Sequence, residues 1–326
     1  MILSIVIPMY NIEKFIGSCL DSCLNQKNVS CDEYEIIVVN DGSTDSGEEC
    51  VQKYIASSTN VKLVTQKNGG LSAARNTGLI NARGKYIWFV DGDDEISADA
   101  LDILFQSIRC QACHAYIFNY TTFDDANEVI ATSDFTLPKD VFSSKDLMFR
   151  EKRFLPMMAW LTVYERDFLL RNNLAFLVGV LHEDLDFSLR SFSLCESVFY
   201  IKSPLYRYRC NRNDSIMNKA FRDNTKSLIS YDKIIESLKM FFLKNGLDKK
   251  NTNWILANLS YMIFLKIYSD GFVLNDATRF ILGKREEYYG YMWSSKLIKY
   301  RFLTLFLKCV PNWMALKTFR WYTKRI

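Results

Sequence analysis

Histidine is nearly missing from this sequence: His114 and His182 are the only two in 326 residues. Cysteine occurs nine times but without a pattern, at 19, 23, 31, 50, 110, 113, 195, 210 and 309. A disulfide framework is denser and more regular, so these read as reduced thiols of a cytosolic protein. Cys110-Gln-Ala-Cys113 has the spacing of half a zinc site. A closed site needs two further ligands, and with so little histidine the pair reads as buried small residues on a helix. Five prolines and 13 glycines leave little room for long flexible linkers. Hydrophobic residues at 49% and charged residues at 24% exclude bulk disorder and are enough to bury a core. No apolar run approaches the ~20 residues a transmembrane helix needs. The opening MILSIVIP lacks a basic segment, and its apolar run is too short for a signal peptide. Neither an internal repeat nor a low-complexity tract is present.

Acid is missing from one region. Residues 291–326 hold eight Lys and Arg and no Asp or Glu. The chain's net charge is +4, so residues 1–290, with 33 basic and 37 acidic side chains, carry −4. Positive charge is therefore a property of the tail. The tail also holds Tyr291, Trp293, Tyr300, Phe302, Phe306, Trp313, Phe319, Trp321 and Tyr322. That mixture fits helices lying on anionic lipid, separated at Pro311. A packed helical subdomain with a basic rim fits it too. Nucleic-acid binding is set aside, because no recognised motif accompanies the charge.

The first 120 residues alternate strand and helix. Short apolar runs at 3–7, 35–39, 61–65 and 86–90 predict strands. Between them, Ile12, Phe15, Ile16, Cys19, Leu20, Cys23 and Leu24 recur at helical spacing, and helices are predicted over 45–57 and 71–82. Ser43, Thr44 or Asp45 would cap the helix over 45–57. Four apolar strands separated by helices predict a mostly parallel sheet covered on both faces. From 97 to 215 the pattern is mixed. Helices are predicted at 98–109, 165–172 and 183–194, strands at 116–120, 197–201 and 205–209, and an edge hairpin at 127–137. From 217 onward only helices are expected.

Ligands of such a sheet bind beyond the carboxyl ends of the strands. The polar residues there are Pro8-Met9-Tyr10-Asn11, Asn40-Asp41, Gln66-Lys67-Asn68 and Asp91-Gly92-Asp93-Asp94. In extended chain Asp91 and Asp93 would point the same way and share a cation, or a cation and a ribose. Gly92 permits close backbone approach. Carboxylate oxygens suit Mg²⁺ or Mn²⁺ held jointly with a diphosphate. An acidic turn capping the next helix fits the same four residues. Asp41 fits either an acceptor for a base N–H or ribose hydroxyl, or a plain Asx turn with Gly42. Asn68-Gly69-Gly70, with Arg75 one turn into the following helix, suits phosphate approach, as any glycine-rich turn does. His182-Glu183-Asp184 opens a helix, where the dipole favours ionised carboxylates. An Asp there can act as general base or merely cap. Tyr206-Arg207-Tyr208-Arg209, followed by Ser215, offers a guanidinium and a hydroxyl to a diphosphate, or is a basic exposed strand.

Six segments together resemble glycosyltransferase family 2, inverting enzymes of the GT-A fold. They are SIVIPMYN (4–11), IIVVNDGSTD (36–45), NGGLSAARNTGL (68–79), YIWFVDGDD (86–94), HEDLDF (182–187) and YRYRCNRNDSI (206–216). The resemblance implies a GT-A domain over 1–216, with a nucleotide-binding half (1–95) and an acceptor half (96–216), before a helical region at 217–326. It implies that Pro8, Tyr10 and Asn11 line the base pocket and that Asp41 bonds the base edge. Asn68 and Arg75 would lie near uridine and sugar-phosphate. Asp91 would hold ribose or sugar, and Asp93 the Mn²⁺ or Mg²⁺. Asp184 would be the base, with Glu183 and His182 on the acceptor side, and Arg209 and Ser215 would close over the diphosphate. Some relatives carry histidine where this chain has Cys210 or Asn211. The expected activity is transfer of a hexose or N-acetylhexosamine from a UDP-sugar to a saccharide or a lipid-linked, polyprenyl-type acceptor in bacterial surface polysaccharide synthesis. The expected location is peripheral, on the cytoplasmic face of the membrane. A nucleotidyltransferase would also use paired carboxylates, but no basic glycine-rich triphosphate loop stands near residues 8–17. A non-catalytic saccharide-binding protein would have no need to keep Asp91, Asp93 and Asp184.

Overall fold

The computed structural model describes residues 1–137, 140–210, 224–269, 275–295 and 298–309. It divides into two compact units, one of Met1–Gly179 with Glu183–Asn213, the other of Val180–His182 with Asp214–Ile326.

The first unit is built on one mixed sheet of ten strands. Strands β1 (Leu3–Met9), β2 (Tyr34–Asn40), β3 (Val61–Thr65) and β4 (Tyr86–Phe89) pair in parallel in the order β3-β2-β1-β4. Every residue of β1, β2 and β4 is buried. That explains their unbroken hydrophobicity, because helices α1 (Ile16–Leu24), α2 (Gly47–Ser57) and α3 (Leu71–Asn81) cover the sheet. Pro8 is tolerated in this interior strand because pairing with β4 ends at Val6↔Phe89. Val6 O accepts from Val90 N on that side, so the nitrogen of Pro8, two residues on, faces past the last pair and no ladder bond is lost.

Beyond β4 the order continues β9-β6-β10-β5, where β5 is Glu95–Ile96, β6 Ala115–Phe123, β9 Thr162–Glu165 and β10 Val198–Arg209. The long registers, β1 on β2 and β10 on β6, are parallel. The antiparallel pairings, β4–β9 among them, are two or three residues each. Two short strands, β7 (Val129–Thr132) and β8 (Val141–Phe142), edge β6 and β10. Helix α4 (Ala100–Cys110) follows β5, and α5 (Ser144–Phe149), α6 (Arg166–Arg171) and α7 (Glu183–Leu194) complete the unit.

The departures from expectation have local causes. The run at 12–15 is a turn rather than helix, with Phe15 N donating to Ile12 O. The two predicted strands at 197–201 and 205–209 are one strand whose register on β6 shifts between Ile201 and Tyr206, around Pro204. Strand β9 has only four residues, too few for periodicity to reveal. Of the pair Cys110 and Cys113, Cys110 ends α4 exposed and Cys113 is buried beyond the helix; the eight cysteines from Cys19 to Cys210 are free.

The described residues of the second unit from 224 onward build five helices: α8 (Asn224–Lys244), α9 (Lys249–Ser269), α10 (Asp276–Gly283), α11 (Arg285–Ser294) and α12 (Ile298–Cys309). Lys284 and the Tyr288 hydroxyl both meet Asp232 Oδ1, at 2.5 and 2.6 Å, inside this unit. Among the described residues no helix is long and apolar enough to cross a membrane.

Candidate active site

The loops at the carboxyl ends of β1 and β2 are wired to each other, and the loop after β4 is tied to α3 through Arg75. After β1, Asn11 has φ 52°. Its Oδ1 accepts from Thr44 N at 2.8 Å, and its backbone N–H donates to Ser43 Oγ at 3.2 Å. Glu13 N donates to Asp45 Oδ2 and Ser46 N to Glu13 Oε2, both at 2.8 Å. Tyr10 between them is exposed, whereas Pro8 is buried in the strand.

Asp41, after β2, is buried. Its carboxylate accepts from Gln66 Nε2 at 2.7 Å and from the amides of Gly69 and Gly70 at 2.8 Å each. Asp41 therefore orders the glycine turn before α3, in addition to any bond it makes to a ligand. Gly70 has φ 85°, a backbone that only glycine adopts without strain. Asn68 is exposed at the tip of that turn.

After β4 the strand stops at Phe89, and residues 91–94 fold into a turn closed by Asp94 N donating to Asp91 O at 3.0 Å. The extended geometry expected for Asp91 and Asp93 is thus replaced by a turn. Gly92 is required there: a Cβ would lie 2.5 Å from Ile12 Cδ1 and 3.0 Å from Pro8 O. Asp94 supports the turn from below. It accepts from the Tyr206 hydroxyl at 2.7 Å and from Arg209 N at 2.8 Å. Burial, then the Asp91 charge, push its carboxyl well above the ordinary value. The Tyr206 hydroxyl also accepts from Asp91 N at 3.2 Å. Arg209 packs over the same turn: its Nε donates to Asp93 O at 3.0 Å, and its guanidinium reaches Glu95 at 3.1 Å.

Arg75 unites the turn with α7. From one turn inside α3 its buried guanidinium reaches Asp91 Oδ1 at 2.7 Å and Glu183 Oε1 at 2.8 Å. Burial works against its charge, but the carboxylates of Asp91 and Glu183 outweigh it and raise its pKa. Glu183 and Asp184, remote in sequence, are thereby held at the carboxyl edge of the sheet. Asp184 is half-buried, and its Oδ1 accepts from Leu185 N at 2.8 Å. Burial and the neighbouring Glu183 push its carboxyl up to about 7, against the opposing pull of Arg75.

His182 is placed otherwise. It has φ 62° and falls in the second unit, where its Nε2 lies 3.0 Å from Ser227 Oγ and its ring stacks on Tyr231. Ser215 lies outside the described residues. The sequence pattern singled out neither Asp94, Tyr206 nor Asn76 for a role. Asp94 was the third carboxylate of a short acidic run, and its burial was the missing signal.

Among the described residues no three His, Cys, Asp or Glu side chains converge as a cage for a metal ion. An ion shared with a diphosphate needs only one or two protein carboxylates. Asp93, half-exposed on the turn, with Asp91 beside it, fits that donor chemistry.

A parallel sheet with a loop-built carboxylate site at its switch edge, extended by short antiparallel strands, is the GT-A glycosyltransferase architecture. TarS residues 1–349 of S. aureus, solved with UDP-GlcNAc, superimposes with a TM-score of 0.63 at 19% identity, covering 90% of this chain and 82% of that one. A mannosyltransferase of Pyrobaculum calidifontis, solved with GDP-Man and Mn²⁺, superimposes with a TM-score of 0.53 at 16% identity, covering 99% and 87%. The family model for glycosyl transferase family 2 matches residues 4–172, and the chain belongs to that family. Glycosyltransferase GlyA of Streptococcus pneumoniae is 33% identical over 220 residues, 64% of this chain and 31% of that protein. The uncharacterized glycosyltransferase EpsJ of Bacillus subtilis is 36% identical over 225 residues, 65% and 62% respectively. The chain thus spans less than two thirds of the length of either relative.

Proposed function

We propose that the chain transfers a hexose or N-acetylhexosamine from a UDP-sugar to a saccharide or lipid-linked saccharide, with inversion, in the assembly of a bacterial surface polysaccharide. One observation carries this reading: Arg75 bridges Asp91 at the end of β4 to Glu183 at the start of α7, which brings the weakly acidic Asp184 to the sheet edge. The TarS complex with UDP-GlcNAc supports a uridine-linked donor. Family membership favours glycosyl transfer over nucleotidyl transfer.

In this reading residues 1–216 are catalytic. Within them, 1–95 take the nucleotide and 96–216 face the acceptor, and 217–326 form a helical appendage. Pro8, Tyr10, Asn11 and Asp41 surround the base, Asn68 and Arg75 approach the sugar-phosphate, and Asp91 and Gly92 meet ribose or sugar. Glu183 would face the acceptor, and Arg209 with Ser215 would cover the diphosphate. Asp184 accepts the proton of an acceptor hydroxyl, whose oxygen attacks the anomeric carbon. The new C–O bond forms as the bond to the diphosphate oxygen breaks, and UDP leaves with the electron pair. A single displacement turns an α-linked donor into a β-glycoside. Mn²⁺ or Mg²⁺ held by Asp93 and Asp91 would offset charge on the departing diphosphate. The acid-free segment 291–326 is proposed to rest on the cytoplasmic face of the membrane, near a lipid-linked acceptor.

The test is a panel of UDP-sugars with Mn²⁺ and saccharide acceptors, read as transfer and as a thermal shift with UDP. Turnover of one donor that is lost in Asp184→Asn supports the reading. No UDP-dependent shift and no turnover across the panel would overturn it.

A further inference from the structure

Carboxylates are not the only groups that hold Arg75. Its guanidinium lies 5.1 Å from the centre of the Phe176 ring. Phe176, between α6 and α7, stacks on Phe187 of α7 with ring centres 4.0 Å apart, and meets Phe89 of β4 edge-on at 4.9 Å. Its main chain is gripped by Asn76, the residue after Arg75 on α3. Asn76 Nδ2 donates to Phe176 O at 2.9 Å, and Phe176 N donates to Asn76 Oδ1 at 2.7 Å. A side-chain amide that both donates to and accepts from one residue's backbone acts as a strand partner, and so fixes position and direction. Ser72 Oγ also donates to Leu177 O at 2.9 Å. From the other side, Arg190 of α7 donates to Ala175 O at 2.6 Å and pairs with buried Asp186 at 2.9 Å. The short segment 175–177 is thus bonded to α3 and α7 at once.

We propose that Asn76 and Phe176 are positioning residues for the transfer, fixing the Arg75 guanidinium so that it spans Asp91 and Glu183. The proposal rests on the donor-site reading above. Arg75 needs such a guide because its side chain is long and buried, and its Nε has no hydrogen-bond partner among the described residues. The ring face attracts the cation and leaves it one direction in which to extend. Asn76 sets where that ring stands. Neither residue need touch substrate, since both act through the guanidinium.

The test is a double-mutant cycle on the full chain, read as kcat/KM with Mn²⁺ and the UDP-sugar that the panel selects. Asn76→Ala is expected to lower kcat/KM about 10- to 100-fold, the size of effect a small misplacement produces. Phe176→Leu, which keeps apolar bulk and removes the ring face, is expected to fall similarly. In an Arg75→Lys background either change should cost no more than about threefold further, because residues acting through one group are not additive. Losses that multiply in that background overturn the proposal, as does Asn76→Ala at the native rate. Should Asn76→Ala fail to fold, Phe176→Leu carries the same cycle. An active Asp184→Asn would place the fault in the donor-site reading. An inactive Asp184→Asn beside a normal Asn76→Ala and Phe176→Leu would sink this proposal alone.

Discussion

Asp184 has a carboxyl that burial and Glu183 raise from an ordinary 3.8 to about 7. A base with that value is half-ionised near neutral pH, so kcat/KM should climb as pH rises through about 7 and level off above it. Asp184→Asn should remove this limb and lower transfer roughly 10²- to 10⁴-fold, the contribution of a positioned base. UDP affinity should stay within a few-fold. The stability sign runs the other way. The folded chain holds this proton more tightly than the unfolded chain, so the stability it confers is full below about 4 and is lost as pH rises toward 7. Melting curves should therefore show Asp184→Asn more stable than the native protein at pH 8, by a smaller margin at pH 5. A native-minus-variant gap that does not change with pH would contradict the assignment. The position of Asp184 was legible in the sequence, as an acidic pair before an apolar helix. Its raised pKa was not, because that comes from burial against distant residues. The same holds for Asp94, which the sequence offered only as part of the acidic turn and which is a buried support for that turn at 91–94.

Among the elements, the parallel half of the sheet was readable because both faces are covered and its strands are unbroken apolar runs. Strand β9 was not, since four residues carry no period and its place between β4 and β6 comes from pairing partners far away in sequence. The loops followed a similar rule: turn residues marked where they are, but not what binds them. Asp41 shows this best. Its position fitted either an Asx turn or a base contact, and in the fold it clasps the glycine turn before α3. Asp41→Asn should place an N–H against a backbone N–H and cost about 1–3 kcal/mol, the penalty of a buried donor left unmatched. A lower Tm and weaker UDP binding would appear together. An unchanged Tm would mean that the clasp contributes little. Gly92→Ala drives a methyl onto Ile12 and the Pro8 carbonyl. Overpacking of this kind costs about 1–3 kcal/mol, so its Tm should fall even where the turn still forms.

Over the whole molecule the charge is divided, and the division has a testable consequence. Residues 1–290 are net negative, and the segment after them holds eight cations and no acid. Within the described part of that segment, Phe302 is 71% and Leu305 50% exposed on α12, and Trp293 of α11 is 46% exposed. Lys299 and Lys308 are exposed on the same helix as Phe302, and Arg301 lies 5.4 Å from the Trp293 ring. Large apolar side chains left in water beside cations are better satisfied at an anionic bilayer surface, where each Lys or Arg near the surface contributes about 1 kcal/mol. The full chain should float with vesicles rich in phosphatidylglycerol and stay behind with purely neutral ones. Because charges at a surface are screened within about 10 Å at 0.1 M salt, flotation should weaken as salt is raised. Phe302→Glu with Leu305→Glu should reduce it further at constant salt, since the apolar contact is lost and two repelling charges are added. Removing residues 291–326 should abolish it. Equal flotation of the native and truncated chains would locate any membrane contact elsewhere, and would leave the exposed face of α12 to a protein partner.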